Sequence, residues 1–100
     1  MQPVIRERDV ERYLVKRVRA LGGQVRKVRW IGRRNAPDRL VLAPDYLPFL
    51  LELKAPGKKP TTAQAREIAL LNRLGQSAEW ADCAEQIECH LNNYKKERAG

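Results

Sequence analysis

The sequence predicts an α+β fold in which helices flank a central mixed sheet, with the elements in the order α-β-β-β-α-β-α. Apolar residues recur at helical spacing in three segments, whereas four other segments alternate or form short apolar runs, as strands do. The first three strands are joined by connections too short for helical crossovers, which indicates a meander. One hundred residues make one domain, residues 1–100, whose core we expect at about 7–94.

The first helix is predicted over residues 7–21, where apolar side chains share one face and the glycines at 22–23 act as a stop signal. Alternation of polar and apolar residues predicts a strand over 24–30. After a turn-rich loop comes a second strand, 39–43. The third strand, 48–54, is a largely apolar run, so we expect it to be buried on both faces at the centre of the sheet.

The second half of the chain predicts a helix, a short strand and a last helix. The first of these helices begins near Thr61 or Thr62 and ends near Leu74, before a glycine. Its expected core residues are Ile68, Leu71 and Leu74. A short strand follows at 77–81, and Asp82 with Glu85 resembles a capping pair for the last helix. The residues that this helix is expected to bury are Ala84, Ile87, Leu91 and Tyr94.

Basic residues outnumber acidic ones by 20 to 12, which gives a net charge of +8. A small domain this basic usually binds a polyanion, most often nucleic acid; the alternative is a solvated basic surface. Cys83 and Cys89 lie six apart in a predicted helix, do not face each other and are expected to be free thiols. The sequence has no zinc-ligand spacing, no N-terminal signal region and no run of about 20 apolar residues, so we expect a cytoplasmic protein without a membrane partner.

Three polar residues lie at the ends of the second and third strands. Asp38 opens the second strand, and Glu52 and Lys54 end the third. Alternate side chains of a strand share a face, so Glu52 and Lys54 point the same way. If the two strands are antiparallel neighbours, Asp38 lies beside both. Two close carboxylates repel unless a cation lies between them, and their hard oxygens suit Mg²⁺ or Mn²⁺.

Such a metal site predicts phosphodiester hydrolysis, because the metal polarises the phosphate and lowers the pKa of a bound water. Lys54 either orients or helps to activate that water, or it stabilises charge on the phosphoryl oxygens. The alternative is a cross-strand ion pair on a solvated sheet face. The apolar third strand favours the site, since buried charges rarely lie without a purpose or a partner.

The order of these motifs resembles the VRR-NUC branch of the PD-(D/E)xK nucleases. The resemblance covers roughly residues 7–90 and depends on the ordered set rather than on any one motif. Its segments are Glu11 to Gly22, Gly32…Ala36-Pro37-Asp38-Arg39-Leu40-Val41, Leu51-Glu52-Leu53-Lys54 and Lys59-Pro60-Thr61…Gln64. One departure is Asn35, where many members carry glycine; asparagine tolerates a left-handed backbone better than most residues.

The resemblance implies a restriction-endonuclease-like core and a short stand-alone nuclease of phage or bacterial type, acting in the cytoplasm of a bacterium or a phage-infected host. It further implies Mg²⁺- or Mn²⁺-dependent, sequence-independent hydrolysis of branched or flapped DNA, such as four-way junctions in repair and recombination. The implied assembly is a homodimer, and no small-molecule cofactor is expected. A chain this small offers little surface to span a junction, which also makes a two-fold dimer attractive.

Site residues are assigned through the same resemblance. The implied catalytic residues are Asp38, Glu52, Lys54 and Gln64. The implied metal ligands are Glu11, Asp38, Glu52 and the backbone carbonyl of Leu53. Glu11 lies inside the apolar arc of the first helix, and its alternative role is a pair with an arginine. Gln64 also completes a Thr61-x-x-Gln64 capping box, which would use its side chain locally.

Basic residues surround the proposed metal site in the sequence. The expected DNA contacts are Arg33, Arg34, Arg39, Lys58 and Lys59. Trp30 and Trp80 could stack on bases, but a place in the core or in a dimer contact is the favoured interpretation for both. Two other classes of function remain open. One is a non-catalytic nucleic-acid-binding module, and the other is an interaction domain whose acidic residues only pair with arginines.

Overall fold

Seven helices and strands make up this computed structural model, which describes residues 5–97. In chain order they are α1 (Glu7–Ala20), β1 (Gln24–Lys27), β2 (Arg39–Leu42), β3 (Phe49–Leu53), α2 (Thr62–Arg73), β4 (Ala78–Ala81) and α3 (Ala84–Tyr94). The strands lie side by side as β1-β2-β3-β4; the first three are antiparallel neighbours, and β4 runs parallel to β3. The predicted α+β fold class, the element order and the mixed sheet are confirmed.

Helix α1 buries the predicted apolar stripe, whose members Val10, Leu14 and Val18 have no solvent exposure. Gly22 ends the helix with a φ of 82°, and the Gly23 N–H donates to the Val18 carbonyl at 2.9 Å. A Cβ on Gly23 would lie 2.1 Å from a backbone carbonyl of β2, so only glycine permits this close approach of α1 to the sheet.

Strand β3 lies between β2 and β4 and is buried on both faces, as its apolar run predicts. Alternate residues contribute to two separate cores. On the first side, here called the α1 face, Phe49 and Leu51 pack with residues of α1 and α3. On the opposite side, the α2 face, Leu50 packs with Leu71 of α2 and with Leu40. Helices therefore cover both faces of the sheet.

Strand β1 is shorter than predicted, because regular pairing ends at Lys27 rather than at residue 30. The Val28 N–H still donates to the Asp38 carbonyl at 2.9 Å, and the chain then turns away from β2. The indole N–H of Trp30 donates to the Pro37 carbonyl at 2.9 Å. This bond spans the loop and joins its entry to the corner that carries Asp38.

The predicted core position of Leu74 is wrong, because its side chain is 73% exposed. Helix α2 ends at Arg73, so Leu74 belongs to the turn that leads to β4 and not to the helix face. Asn72 holds that turn, since its side-chain amide donates to the Ala78 carbonyl and its oxygen accepts the Ala78 N–H. The apolar periodicity extends one residue beyond the end of the helix, so it places Leu74 wrongly on the buried face.

The predicted capping role of Asp82 is also wrong. Cys83 is the N-cap residue of α3 and makes no side-chain cap bond. The Asp82 carboxylate instead accepts the Gly57 N–H at 2.9 Å, which ties the basic loop after β3 to the end of β4. Within residues 5–97, no helix has both the length and the apolar character needed to cross a membrane.

Candidate active site

The antiparallel pairing of β2 with β3 brings Asp38 next to Glu52. The register sets Arg39 opposite Leu51 and Leu40 opposite Leu50, so its continuation by one residue sets Asp38 opposite Glu52. Directly opposed residues of antiparallel strands project to the same side of the sheet. By strand alternation that side is the α2 face, which Lys54 shares in the line of β3.

The backbone around this group is anchored on both sides. The Lys54 N–H donates to the Ala81 carbonyl at 2.9 Å and extends the parallel pairing of β3 with β4. On the other side, the loop before β2 turns at Asn35, whose φ of 67° lies in the left-handed region, as the tolerance of asparagine for that region allows. Pro37 is fully buried directly before Asp38. The ends of both strands are therefore held by neighbouring chain segments.

Glu52 is a half-buried carboxyl group with a neighbouring like charge. Burial raises its pKa most, the Asp38 carboxylate adds to the effect and Lys54 opposes it, and the resulting pKa is about 7. A carboxyl group with such a pKa is close to its midpoint at neutral pH. A cation bound between the two carboxylates would favour the charged form of both.

Arg39 supplies the positive charge next to Asp38. Its side chain is on the α1 face and only 9% of the residue is exposed. One guanidinium nitrogen lies 2.8 Å from Asp38 Oδ1, and Nε donates to Glu11 Oε2 at 3.1 Å. Arg39 was predicted to contact DNA, but the structure buries it between two carboxylates. Glu11, predicted as a metal ligand, here has the alternative role that the sequence left open, a pair with an arginine.

Glu7 is an acidic residue near the site that the sequence analysis missed. It lies one turn before Glu11 on α1, and its charge is among those that raise the pKa of Glu52. Glu11 is absent from those causes. The signal that reveals Glu7 is its spacing, because residues four apart on a helix lie on the same side. The first turn of α1 therefore adds negative potential to the site.

Gln64 forms the capping box that its position after Thr61 predicts. Its side-chain oxygen accepts the Thr61 N–H at 2.9 Å, and its own N–H donates to the Thr61 hydroxyl at 3.1 Å. This local use occupies the side-chain oxygen at the start of α2. Leu53 lies one residue before Lys54, opposite Ala81 of β4, and its side chain is buried in the core of the α1 face.

The basic residues predicted to contact DNA have different environments. Arg34, Lys58 and Lys59 are exposed. Arg33 is paired with Glu67 of α2 through two of its guanidinium nitrogens. This pair ties the loop before β2 to α2 and was not anticipated, because a glutamate between apolar helix positions gives no sign of its partner.

The donor set of the site suits a divalent metal ion. Mg²⁺ typically binds to one or two carboxylates and completes its shell with waters and phosphate oxygens. Asp38 and Glu52 supply two hard carboxylates. Burial raises the pKa of Glu52 most and repulsion by Asp38 adds to it, and a cation between the two groups would relieve that repulsion. The part of the chain that the structure describes contains no cluster of three or more acidic, histidine or cysteine side chains able to hold a metal. The residues therefore fit a metal held by two carboxylates.

We expect the stability of the metal-free protein to fall as the pH rises from about 4.5 to about 7. In this window the unfolded chain has lost the Glu52 proton while the folded chain keeps it, because the folded pKa is the higher one. The full shift corresponds to about 3 kcal/mol, and solvent screening of the half-exposed group reduces this to about 1–2 kcal/mol.

Urea denaturation of wild type and Glu52→Gln across this pH range, with chelator present, measures the effect. The glutamine variant cannot titrate, so the difference in unfolding free energy between the two proteins should grow with pH in favour of the variant. A constant difference between pH 4.5 and 8 would contradict the proposed environment of Glu52.

Comparisons with known proteins agree with this fold. No family model matches the chain. A protein called "Putative nuclease p44" from Acyrthosiphon pisum secondary endosymbiont phage 1 is 49% identical over 72 residues, which is 72% of this chain and 77% of that protein. A solved structure described as a VRR_NUC domain superposes with a TM-score of 0.77 at 32% identity and covers 90% of this chain and 98% of its own. Given this similarity along most of both relatives, the chain belongs to the VRR-NUC family of nucleases.

Proposed function

We propose that this nuclease is a metal-dependent, structure-selective DNA endonuclease that hydrolyses phosphodiester bonds in branched DNA, with Mg²⁺ or Mn²⁺ as cofactor. The observation that carries the proposal is the β2–β3 register, which sets Asp38 opposite Glu52 with Lys54 on the same face. A half-buried carboxyl group held beside a second carboxylate and a lysine is a costly arrangement for stability alone. The proposed place of action is the cytoplasm of a bacterium or a phage-infected host.

The proposed chemistry assigns a separate task to each residue. When bound, a divalent metal supplies Lewis-acid polarisation of a phosphoryl oxygen and acidifies a coordinated water. Asp38 and Glu52 would hold that metal, with Glu11 as a further ligand once Arg39 releases it and the Leu53 carbonyl completing the protein donors. Lys54 would orient the attacking water or stabilise the charge that develops on the phosphoryl oxygens. Gln64 would border the site from the first turn of α2.

Exposed cations next to the site support DNA as the substrate. Lys58 and Lys59 follow Lys54 in a loop that Asp82 holds through the Gly57 N–H. Arg34 lies on the other side, in the loop before Asp38. These charges would contact phosphates, and phosphate contacts do not distinguish one base from another. They therefore support recognition of DNA shape rather than sequence.

Exposed apolar side chains support the proposed homodimer. Ile31 is 95% exposed, and Leu42 and Leu47 are also exposed. Large apolar side chains on the surface of a small protein are candidates for an interface. A two-fold dimer would present two active sites to two strands of a junction. Light scattering should give twice the 11.5 kDa mass of one chain, and a monomer at assay concentration would contradict this assembly.

The experiment that tests the function compares a four-way junction with a linear duplex that has the sequence of two of its arms. Each is incubated with the protein and Mg²⁺, Mn²⁺ or a chelator. We expect cleavage with either metal, none with chelator, and faster cleavage of the junction. Equal cleavage rates on both substrates would contradict the proposed structure selectivity and would still support nuclease activity. DNA binding without cleavage under every metal condition would instead favour a non-catalytic nucleic-acid-binding module.

A further inference from the structure

A groove of about 650 Å³ lies between the loop before β2 and helix α2. It is separate from the carboxylate pair and is not used in the chemistry proposed above. The residues that line it are Gly32, Arg33, Arg34, Asn35, Ala63, Arg66, Glu67, Ala69, Leu70 and Arg73. One wall is therefore a loop that ends three residues before Asp38, and the other wall is one face of α2.

The groove is strongly positive. Four arginines and one glutamate line it, so four positive charges against one negative charge give a net charge of +3. Glu67 is only 8% exposed, and both of its oxygens bind the Arg33 guanidinium. Its negative charge is therefore compensated by Arg33 and would repel an anionic ligand little. Among residues 5–97, no salt bridge engages the other three arginines, which are Arg34, Arg66 and Arg73.

The α2 wall has a spacing that suits a chain of phosphates. Arg66 and Arg73 lie seven residues apart on the same helix face, which corresponds to about 10.5 Å along the axis. Neighbouring phosphates of one DNA strand repeat at a spacing shorter than this distance, so the two arginines can contact different phosphates of the same strand. Between them the groove is lined by Glu67, Ala69 and Leu70, and the small Ala69 side chain leaves room for a sugar–phosphate backbone.

The groove and the carboxylate pair belong to the same side of the molecule. Helix α2 covers the sheet face on which Leu40 and Leu50 pack, and strand alternation assigns Asp38 and Glu52 to that face. The Arg33–Glu67 pair joins the two walls and fixes the width of the groove. The loop that lines the groove ends three residues before Asp38, so the groove begins close to the carboxylate pair along the chain.

We propose that this groove binds the phosphodiester backbone of one DNA strand next to the cleavage site, through Arg34, Arg66 and Arg73. The placement of the strand depends on the proposed DNA endonuclease function, whereas binding in the groove can be measured without cleavage. The groove thus extends the contact surface along α2, and it requires no recognition of bases.

The test measures DNA affinity in a Glu52→Gln background, so that no cleavage is needed. The double variant Arg66→Gln/Arg73→Gln is compared with Lys16→Gln/Arg19→Gln, which removes the same charge from exposed positions of α1 on the opposite sheet face. Fluorescence anisotropy with a labelled DNA junction over a range of salt concentrations gives Kd and its salt dependence. We expect the α2 variant to bind about tenfold more weakly and to lose about two units of the log–log salt slope, and the α1 variant to keep the slope.

A second pair of variants keeps every arginine. Ala69→Glu adds a negative charge to the floor of the groove, and Ala20→Glu adds the same charge to the exposed end of α1. Only the first is expected to weaken DNA binding several-fold, with unchanged melting temperature.

Equal salt slopes for the two double variants, or equal losses for the two alanine variants, would overturn the groove even if the wild-type protein cuts DNA. A selective loss for the α2 variants supports the groove even if no cleavage is found, in which case the nuclease proposal alone fails.

Discussion

Glu52→Gln is expected to reduce metal-dependent cleavage by about 10³-fold or more and to leave the fold intact. The substitution removes one of two carboxylates that suit a metal and keeps the size of the side chain. Loss of a metal ligand withdraws both the Lewis acid and the acidified water from the reaction. Because burial and Asp38 already disfavour the charged form of Glu52, the amide should not destabilise the metal-free protein.

The measurement is an initial rate on junction DNA, together with a thermal melt in the presence and absence of Mg²⁺. Mg²⁺ should raise the melting temperature of the wild type and have little effect on the variant, since only a state that binds the ligand is stabilised. Glu85→Gln on the exposed side of α3 provides the matched control and should retain full activity. If Glu52→Gln cleaved DNA at the wild-type rate, the Glu52 carboxylate would have no role in the mechanism.

Lys54→Met separates the role of the lysine from that of the metal ligands. We expect a fall in rate of about 10²- to 10³-fold, the usual cost of losing one group that stabilises transition-state charge. Because the methionine removes no carboxylate, the Mg²⁺-dependent rise in melting temperature should persist. A variant that loses this rise together with its activity would show that Lys54 is needed for the site to bind metal.

Leu51→Ala is expected to cause the largest loss of stability, about 3 kcal/mol. Leu51 has no solvent exposure, and it packs in the core between β3 and the helices of the α1 face. Truncation of a buried leucine removes its transfer free energy and leaves a cavity in the central strand. The same strand carries Glu52 one residue later, so a weakened β3 also loosens the support of the site.

Leu74→Ala is the matched control, because the same atoms are removed from a side chain that is 73% exposed. Its unfolding free energy should change by less than about 0.5 kcal/mol, as for most surface substitutions. Urea denaturation of both variants tests the pair directly. Similar losses for the two variants would contradict the exposed position of Leu74 and restore the core role that the helical wheel predicts.

Arg39 links the fold to the site. It pairs with Glu11 and Asp38 from the α1 face, where a divalent metal would compete for the same oxygens. Arg39 is itself nearly buried, so loss of its carboxylate partners would leave its charge buried and uncompensated. The loop corner at Pro37 and the first helix are thereby joined through a single side chain.

Local patterns predicted the regular elements of this protein. Apolar spacing specified α1, and the alternation and apolar runs specified all four strands within a few residues. Turn chemistry specified Asn35 and the Thr61–Gln64 capping box. These features depend on residues that are close neighbours along the chain, so they can be predicted from the sequence. The apolar run of β3 even predicted its central place, since only a strand covered on both faces lacks polar alternation.

The sequence by itself therefore determined the order of elements, the α+β class and the candidates Asp38, Glu52 and Lys54. Only the tertiary structure decided their surroundings: the burial that raises the pKa of Glu52, the capture of Glu11 by Arg39, and the Arg33–Glu67 pair that closes one side of a basic groove. The partners in these interactions are 14 to 34 residues apart in the chain. Charge pairing is set by distance in space and by the local dielectric, and neither quantity can be obtained from sequence spacing.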